Sequence, residues 1–70
     1  MMLGLVTRLK KNKRRPNKSY GFISAYDGET YWFNLRGHDD LNVGDEVNFF
    51  GGFNEKGYVA RNIQKVTENS

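Results

Sequence analysis

Two alternating runs, Lys18-Ser19-Tyr20-Gly21-Phe22-Ile23 and Thr30-Tyr31-Trp32-Phe33, flank the dipeptide Asp27-Gly28. Asp-Gly between such runs is typical of a two-residue type I′ turn, because both central residues of that turn take positive φ. The sequence therefore predicts a β-hairpin with Asp27 and Gly28 at its tip. In this hairpin Tyr26 faces Glu29, and the same register fixes every further pair.

The predicted register sorts the side chains of the hairpin onto two faces. Directly opposed residues share a face, and successive residues of a strand alternate between faces. One face then carries four rings, those of Tyr20, Phe22, Tyr31 and Phe33. The other face carries Gly21, Ile23, Thr30 and Trp32.

Only one face of a small sheet can be the core, so two interpretations are open. Either the four rings are the core and Ile23 and Trp32 face solvent, or the rings are displayed and Trp32 is a core residue. We expect displayed rings, because Gly21 and Thr30 are small, as the interior of a tightly curved barrel requires. Displayed rings beside positive charge are typical of proteins that bind unstacked bases.

The composition limits the classes of protein to which this chain can belong. A chain of 70 residues predicts a single domain, residues 1–70. Such a small domain buries only about 60% of the surface that its unfolded chain exposes. With no cysteine and one histidine, we expect no disulfide, no metal site and no cofactor. No apolar run approaches the ~20 residues of a membrane span, so a soluble, cytoplasmic protein is predicted.

The net charge of +3 is unevenly distributed along the chain. Seven basic residues and no acidic one lie between positions 8 and 18: Arg8, Lys10, Lys11, Lys13, Arg14, Arg15 and Lys18. From Asp27 onward there are four basic and eight acidic residues. A concentrated basic segment predicts a polyanionic partner. The alternative interpretation is a solvated loop whose charge only aids solubility.

Further short strands are predicted on both sides of the hairpin. Residues 3–9 form a first strand, and residues 12–17 form a loop because Pro16 cannot donate to a ladder. Residues 34–42 have no period and form a connection. Residues 46–50 alternate, with Val47 and Phe49 inward, and Phe50 outward.

For the last run, residues 58–66, there are two alternatives: either it contains a bulge, or its core face cannot be assigned from the sequence. Val59 and Ile63 share a parity along the strand, but Ala60 does not. Five short strands without a helical period together predict an all-β fold, a small closed or nearly closed antiparallel barrel.

Taken in order, these motifs resemble the cold-shock domain family over nearly the whole chain. Lys18-Ser19-Tyr20-Gly21-Phe22-Ile23 and Thr30-Tyr31-Trp32-Phe33 are similar to the two ribonucleoprotein motifs of that family. Gly4-Leu5-Val6 and Val47-Asn48-Phe49 are similar to its first and fourth strands. The resemblance implies a five-stranded antiparallel Greek-key barrel of the oligonucleotide-binding (OB) type. It also implies a protein that binds single-stranded RNA or DNA, in the manner of an RNA chaperone.

The resemblance further implies a set of nucleic-acid-binding residues. Tyr20, Phe22 and Tyr31 match the central stacking residues of the family, and Phe33 stands where the family usually has histidine. Lys18 matches a motif lysine. Lys56 and Tyr58 match a rim that also touches nucleic acid. With the basic segment added, the predicted interface comprises Arg8, Lys10, Lys11, Lys13, Arg14, Arg15, Lys18, Tyr20, Phe22, Tyr31, Phe33, Lys56 and Tyr58.

The chain departs from the family pattern at the first strand and at the loop that follows it. Arg8 and Leu9 replace an aromatic pair, which removes stacking area. Arg8 compensates in part, since guanidinium planes also stack on bases. The loop is several residues longer and far more basic than the family pattern.

Other interpretations remain open at this stage. A degenerate barrel of the same type could act as a protein-interaction module, with Phe50 and Phe53 as contacts, or as a ribosome-binding translation factor. The first motif also resembles the RNA-recognition motif fold, but residues 36–46 cannot supply the helix which that fold needs. No nucleophile, base and orienting group occur together, so we expect no enzyme. A monomer is expected, with a weak dimer as the alternative.

Overall fold

A computed structural model describes residues 1–67 of the chain. Five strands account for most of it: β1 (Met2–Lys10), β2 (Tyr20–Ala25), β3 (Thr30–Asn34), β4 (Glu46–Asn54) and β5 (Gly57–Lys65). A single 3₁₀ turn, Pro16–Lys18, interrupts the segment between β1 and β2. Within residues 1–67 no helix has the length and apolar character needed to cross a membrane.

The five strands close into a barrel in the order β1-β2-β3-β5-β4, with β4 paired back to β1. This confirms the predicted all-β barrel, and the architecture is consistent with the OB type. Four of the pairings are antiparallel, and the pairing of β3 with β5 is parallel. Five strands cannot alternate in direction all the way round a closed ring, so one parallel pairing is unavoidable.

The β2–β3 hairpin forms, but its turn is one residue longer than predicted. The Gly28 amide donates to the Ala25 carbonyl at 3.0 Å, and the Ala25 amide donates to the Glu29 carbonyl at 2.9 Å. Gly28 has a φ of 94°, whereas Asp27 does not have a positive φ. These features are typical of a three-residue loop, in which a type I turn is followed by a glycine in the left-handed region.

The longer turn moves the register of the hairpin by one residue. Phe22 is now paired with Trp32, and Ile23 with Tyr31. A one-residue change of register reverses which side chains of the two strands share a face. The predicted pairing of Phe22 with Phe33 is therefore wrong, and so is the expectation that four rings share one face.

The core contains two of the four rings that the sequence placed outside. Phe33 and Tyr31 are 1% and 5% exposed, and they lie with Ile23 in the central cluster. Gly21 is required here, because a Cβ at this position would lie 2.7 Å from the Phe33 ring and 2.8 Å from the Arg8 carbonyl oxygen. The remaining members of the cluster are Val6, Ala25, Leu35, Leu41, Val47, Phe49, Ala60 and Ile63.

The predicted directions of Val47, Phe49 and Phe50 are confirmed, but β4 continues past Phe50 to Asn54. Val47 and Phe49 are fully buried, and Phe50 points outward. The register between the two strands shifts opposite Asn62, which has a φ of 54°. This bulge allows both Ala60 and Ile63 to face the core.

Candidate nucleic-acid interface

Three aromatic rings stand together on the outer surface of β2 and β3. Tyr20, Phe22 and Trp32 are all half-buried, and we call them the outer aromatic face. The rings of Tyr20 and Trp32 are roughly parallel, with centroids 6.4 Å apart, and Phe22 meets Tyr20 edge-on at 5.8 Å. Exposed flat rings of this kind give any nucleobase a surface on which to stack.

A bulge in β1 places two cations beside these rings. The register of β1 with β2 shifts at Thr7, so that Arg8 is paired with Phe22 and Lys10 with Tyr20. Without the extra residue, positions 8 and 10 would fall on the core face. Arg8 and Lys10 are instead exposed next to the outer aromatic face, and Leu9 points toward the core.

The loop that joins β1 to β2 holds the remaining predicted cations in a hydrogen-bonded frame. The side-chain oxygen Oδ1 of Asn12 accepts bonds from the amides of Arg14 and Arg15, at 3.1 and 2.9 Å. The hydroxyl of Ser19, a buried residue, accepts a bond from the Asn12 amide at 2.8 Å. Its five basic side chains, Lys11, Lys13, Arg14, Arg15 and Lys18, are all exposed.

Strand β5 extends the same outer surface past Trp32. Val59 is registered beside Trp32 in the parallel pair, and it is buried although it lies outside the central core cluster. A Cβ placed on Gly52 of β4 would lie 3.5 Å from Val59 and 3.7 Å from Arg61 Nε. The exposed Arg61 side chain therefore extends over β4, which lies on the other side of β5 from β3.

Two predicted stacking residues are not available for binding. Phe33 lies inside the barrel over Gly21, with its ring edge-on to that of His38 at 6.2 Å. Tyr31 packs against Phe49 and Tyr58, at centroid distances of 5.0 and 5.4 Å. Their predicted solvent orientation was wrong, and the physical reason is the register imposed by the three-residue turn.

The buried phenol of Tyr31 is engaged in a strong hydrogen bond. Its hydroxyl donates to Oδ2 of Asp27 at 2.8 Å. This bond, together with burial and the negative charge of Asp27, raises the pKa of Tyr31 to about 12. Oδ1 of Asp27 accepts the Glu29 amide at 2.8 Å, so one carboxylate fixes both the turn and the ring.

Lys56 and Tyr58, the predicted rim, lie at the end of the β4–β5 hairpin. Tyr58 is partly exposed, and its ring packs on Tyr31 and edge-on to Phe53 at 5.7 Å. Lys56 is exposed in the turn, where its amide donates to Asn54. These side chains form a second aromatic group at the hairpin tip, separate from the outer aromatic face.

The site therefore contains only some of the residues that the sequence predicted. It brings Arg8, Lys10, Tyr20 and Phe22 together as predicted. Trp32, predicted as a core residue, joins them on the outside, whereas the other predicted aromatic residues, Tyr31, Phe33 and Tyr58, do not. Gly28 was the available signal for Trp32, because a glycine in this position is also compatible with a three-residue turn.

Within residues 1–67 no group of three or more His, Cys, Asp or Glu side chains is placed to hold a metal ion. No protein-family model matches the chain, and no curated protein matches it either.

Proposed function

We propose that this protein binds single-stranded nucleic acid, RNA or DNA, by stacking bases on the outer aromatic face. The observation that carries the proposal is the grouping of Tyr20, Phe22 and Trp32 on one outer surface, with Arg8 and Lys10 registered directly beside them. Rings supply sequence-tolerant stacking, and cations hold the phosphates. No catalytic step and no cofactor is part of this function.

Magnitudes favour stacking over charge as the main source of affinity. Stacking is worth roughly 1–3 kcal/mol per base, so three rings contribute on the order of 3–9 kcal/mol before ordering costs. If about four phosphates are neutralised, a slope of about −0.7 per contact gives roughly a fiftyfold loss between ~50 and ~200 mM salt. The part of the charge contribution that is lost over this fourfold range of salt is therefore about 2 kcal/mol. Duplexes are expected to bind poorly, because their bases are already stacked.

The test is a fluorescence titration with a short oligothymidine or oligouridine. Trp32 is the single tryptophan, and it lies within the proposed site, so its emission reports stacking directly. Wild-type protein should show saturable quenching. Phe22→Ala should weaken binding by roughly five- to a hundredfold, the value of one lost stacking contact.

The matched control is Phe53→Ala. Phe53 is the most exposed phenylalanine and lies at the β4–β5 tip, away from the outer aromatic face. Its removal should leave the oligonucleotide affinity nearly unchanged. Equal losses in the two variants, or the absence of quenching in wild-type protein, would refute the proposal.

A second candidate function, a protein-interaction module, is favoured by a different set of exposed side chains. Leu3, Leu5 and Phe50 face outward on β1 and β4, and Phe53 is 73% exposed. Scattered apolar side chains are normal on protein surfaces, whereas contiguous ones mark contact sites. A protein of this kind should show no saturable quenching with any oligonucleotide. A ribosome-binding factor should prefer structured RNA to free oligomers in the same titration.

A further inference from the structure

A cleft lies between the loop that joins β1 to β2 (residues 11–19, the basic loop) and the connection that follows β3 (residues 35–45). Its volume is about 730 Å³, which falls within the range of roughly 300–1,000 Å³ typical of small-ligand sites. Two hydrogen bonds join the walls: the Leu35 amide donates to the Ser19 carbonyl at 2.9 Å, and Asn34 Nδ2 donates to the Asn17 carbonyl at 3.0 Å. Both bonds connect the loop to the chain at the C-terminal end of β3, so the cleft lies at one end of the barrel.

The pairing of the strands places this cleft at one end of the outer aromatic face. Lys10, Tyr20 and Asn34 are registered side by side across β1, β2 and β3. The lining residues Lys11, Ser19 and Leu35 are the next residues of those three chain segments. A strand of nucleic acid that stacks on Phe22 and Tyr20 and continues in the same direction reaches the mouth of the cleft.

The lining combines apolar surface with positive charge. Pro16 supplies the exposed apolar surface, since Leu35 is a core residue that is only 3% exposed, and Lys11, Lys13 and Arg36 supply three cations. Asp39 is the single carboxylate of the lining, so the formal charge is +2. An inorganic anion would leave the apolar lining of the cleft without a contact. An apolar ligand would leave the three cations without an anionic group to bind. A nucleotide satisfies both, because it has a flat base and a phosphate.

We propose that this cleft holds one nucleotide at the end of the bound single strand. Its base lies against Pro16, and its phosphate lies on Lys11, Lys13 and Arg36. The proposal rests on the proposed function, since the remainder of the strand occupies the outer aromatic face. It assigns the enlarged loop a role in binding a base as well as in attracting phosphates.

The experiment compares oligothymidines that differ only in one base. The reference is the shortest oligothymidine that gives full affinity for wild-type protein. Two further oligomers carry an abasic nucleotide at the 5′ end or at the 3′ end, so that the number of phosphates is unchanged. If the cleft holds a base, one of these two oligomers should bind wild-type protein at least about fivefold more weakly than the reference.

Two double variants of the loop locate this effect. Lys11→Gln with Lys13→Gln removes cations that line the cleft, whereas Arg14→Gln with Arg15→Gln removes the same charge from loop positions outside its lining. Without these two cations the terminal phosphate no longer holds the last nucleotide in the cleft, so the lining variant should lose most of the discrimination between the reference and the abasic oligomer. The other variant should keep it, while binding both oligomers more weakly to the same degree.

The outcomes separate this inference from the proposed function. Absence of quenching with any oligomer would overturn the proposed function and this inference with it. Binding of the reference with no penalty for either abasic end would overturn the nucleotide cleft alone. Equal discrimination in the two double variants would also overturn it. Every substituted residue is exposed, so each variant is expected to fold. Thermal unfolding of each variant checks this expectation.

Discussion

Gly21 lies where the backbone of β2 passes beneath the ring of Phe33. A Cβ at Gly21 would contact ring carbons at 2.7 Å, and it would also contact the Arg8 carbonyl, which cannot move without β1. Gly21→Ala should therefore destabilise the fold by about 1–3 kcal/mol, the usual cost of overpacking. Urea unfolding measures this loss.

Gly52→Ala is the matched control for that substitution. Gly52 also lies in a strand, but the nearest heavy atoms to its added Cβ lie at 3.5 Å or more, which is ordinary contact distance. Its free energy of unfolding should change by less than about 0.5 kcal/mol. Similar losses at the two positions would show that the Phe33 ring does not occupy the space above Gly21.

Ionisation of Tyr31 should lower the stability of the fold at alkaline pH. Its pKa is raised from 10.0 to about 12, because its neutral hydroxyl donates to the Asp27 carboxylate. The folded state therefore holds the proton more tightly than the unfolded state does. This contribution to stability is complete below pH 10 and is lost as the pH rises through about 12.

Unfolding free energies measured across that alkaline interval test the assignment. Tyr31→Phe removes the hydroxyl while keeping the buried ring, so the variant should lose stability below pH 10 and show a shallower decline above it. A decline of equal steepness in both proteins would show that the bond to Asp27 is not the cause.

At the scale of the element, substitutions in the basic loop and in the aromatic strands should affect the salt dependence of nucleic-acid binding differently. Arg14→Gln with Arg15→Gln should flatten the slope of log affinity against log salt by about 1.4, if each arginine neutralises one phosphate. Phe22→Ala should lower the affinity at every salt concentration and leave the slope unchanged. Titrations at several ionic strengths measure both quantities, and equal slopes in the two variants would contradict this division.

The elements themselves were predictable from the sequence, but the register of one hairpin was not. Alternation identified the first five residues of β4, and conflicting parity along β5 indicated its bulge as one of two alternatives. Asp27-Gly28 identified a turn. However, the same dipeptide can be the whole of a two-residue turn or the last two residues of a three-residue loop. The choice depends on tertiary contacts, since Asp27 binds the Tyr31 hydroxyl and Phe33 needs the space over Gly21.

In the candidate site, the error in the hairpin register placed some residues on the surface that are buried, and one residue in the core that lies on the outer surface. Phe22, Tyr20 and the β1 cations were predicted correctly as neighbours on the outer surface. Trp32 was assigned to the core because its strand was paired one residue out of register. The same displacement put Tyr31 and Phe33 on the surface. Alternation along a strand fixes which residues share a face, but only the turn fixes how two strands are combined.

At the scale of the whole molecule, the proposed interface depends on closure of the barrel. The parallel pairing of β3 with β5 brings Val59 beside Trp32. This contact joins segments far apart in the chain, so no local pattern announces it. The charged residues are also separated. The basic loop adjoins the outer aromatic face, whereas most acidic residues follow position 38 along the chain.

The most direct test of the central claim is a two-dimensional NMR titration of the wild-type protein with a short single-stranded oligonucleotide. The largest chemical-shift changes should fall on Tyr20, Phe22 and Trp32, including the Trp32 indole N–H, and a duplex of the same length should produce far smaller changes. Shifts confined to Phe53, Tyr58 and the β4–β5 tip, or no saturable shift on the outer aromatic face, would contradict the account.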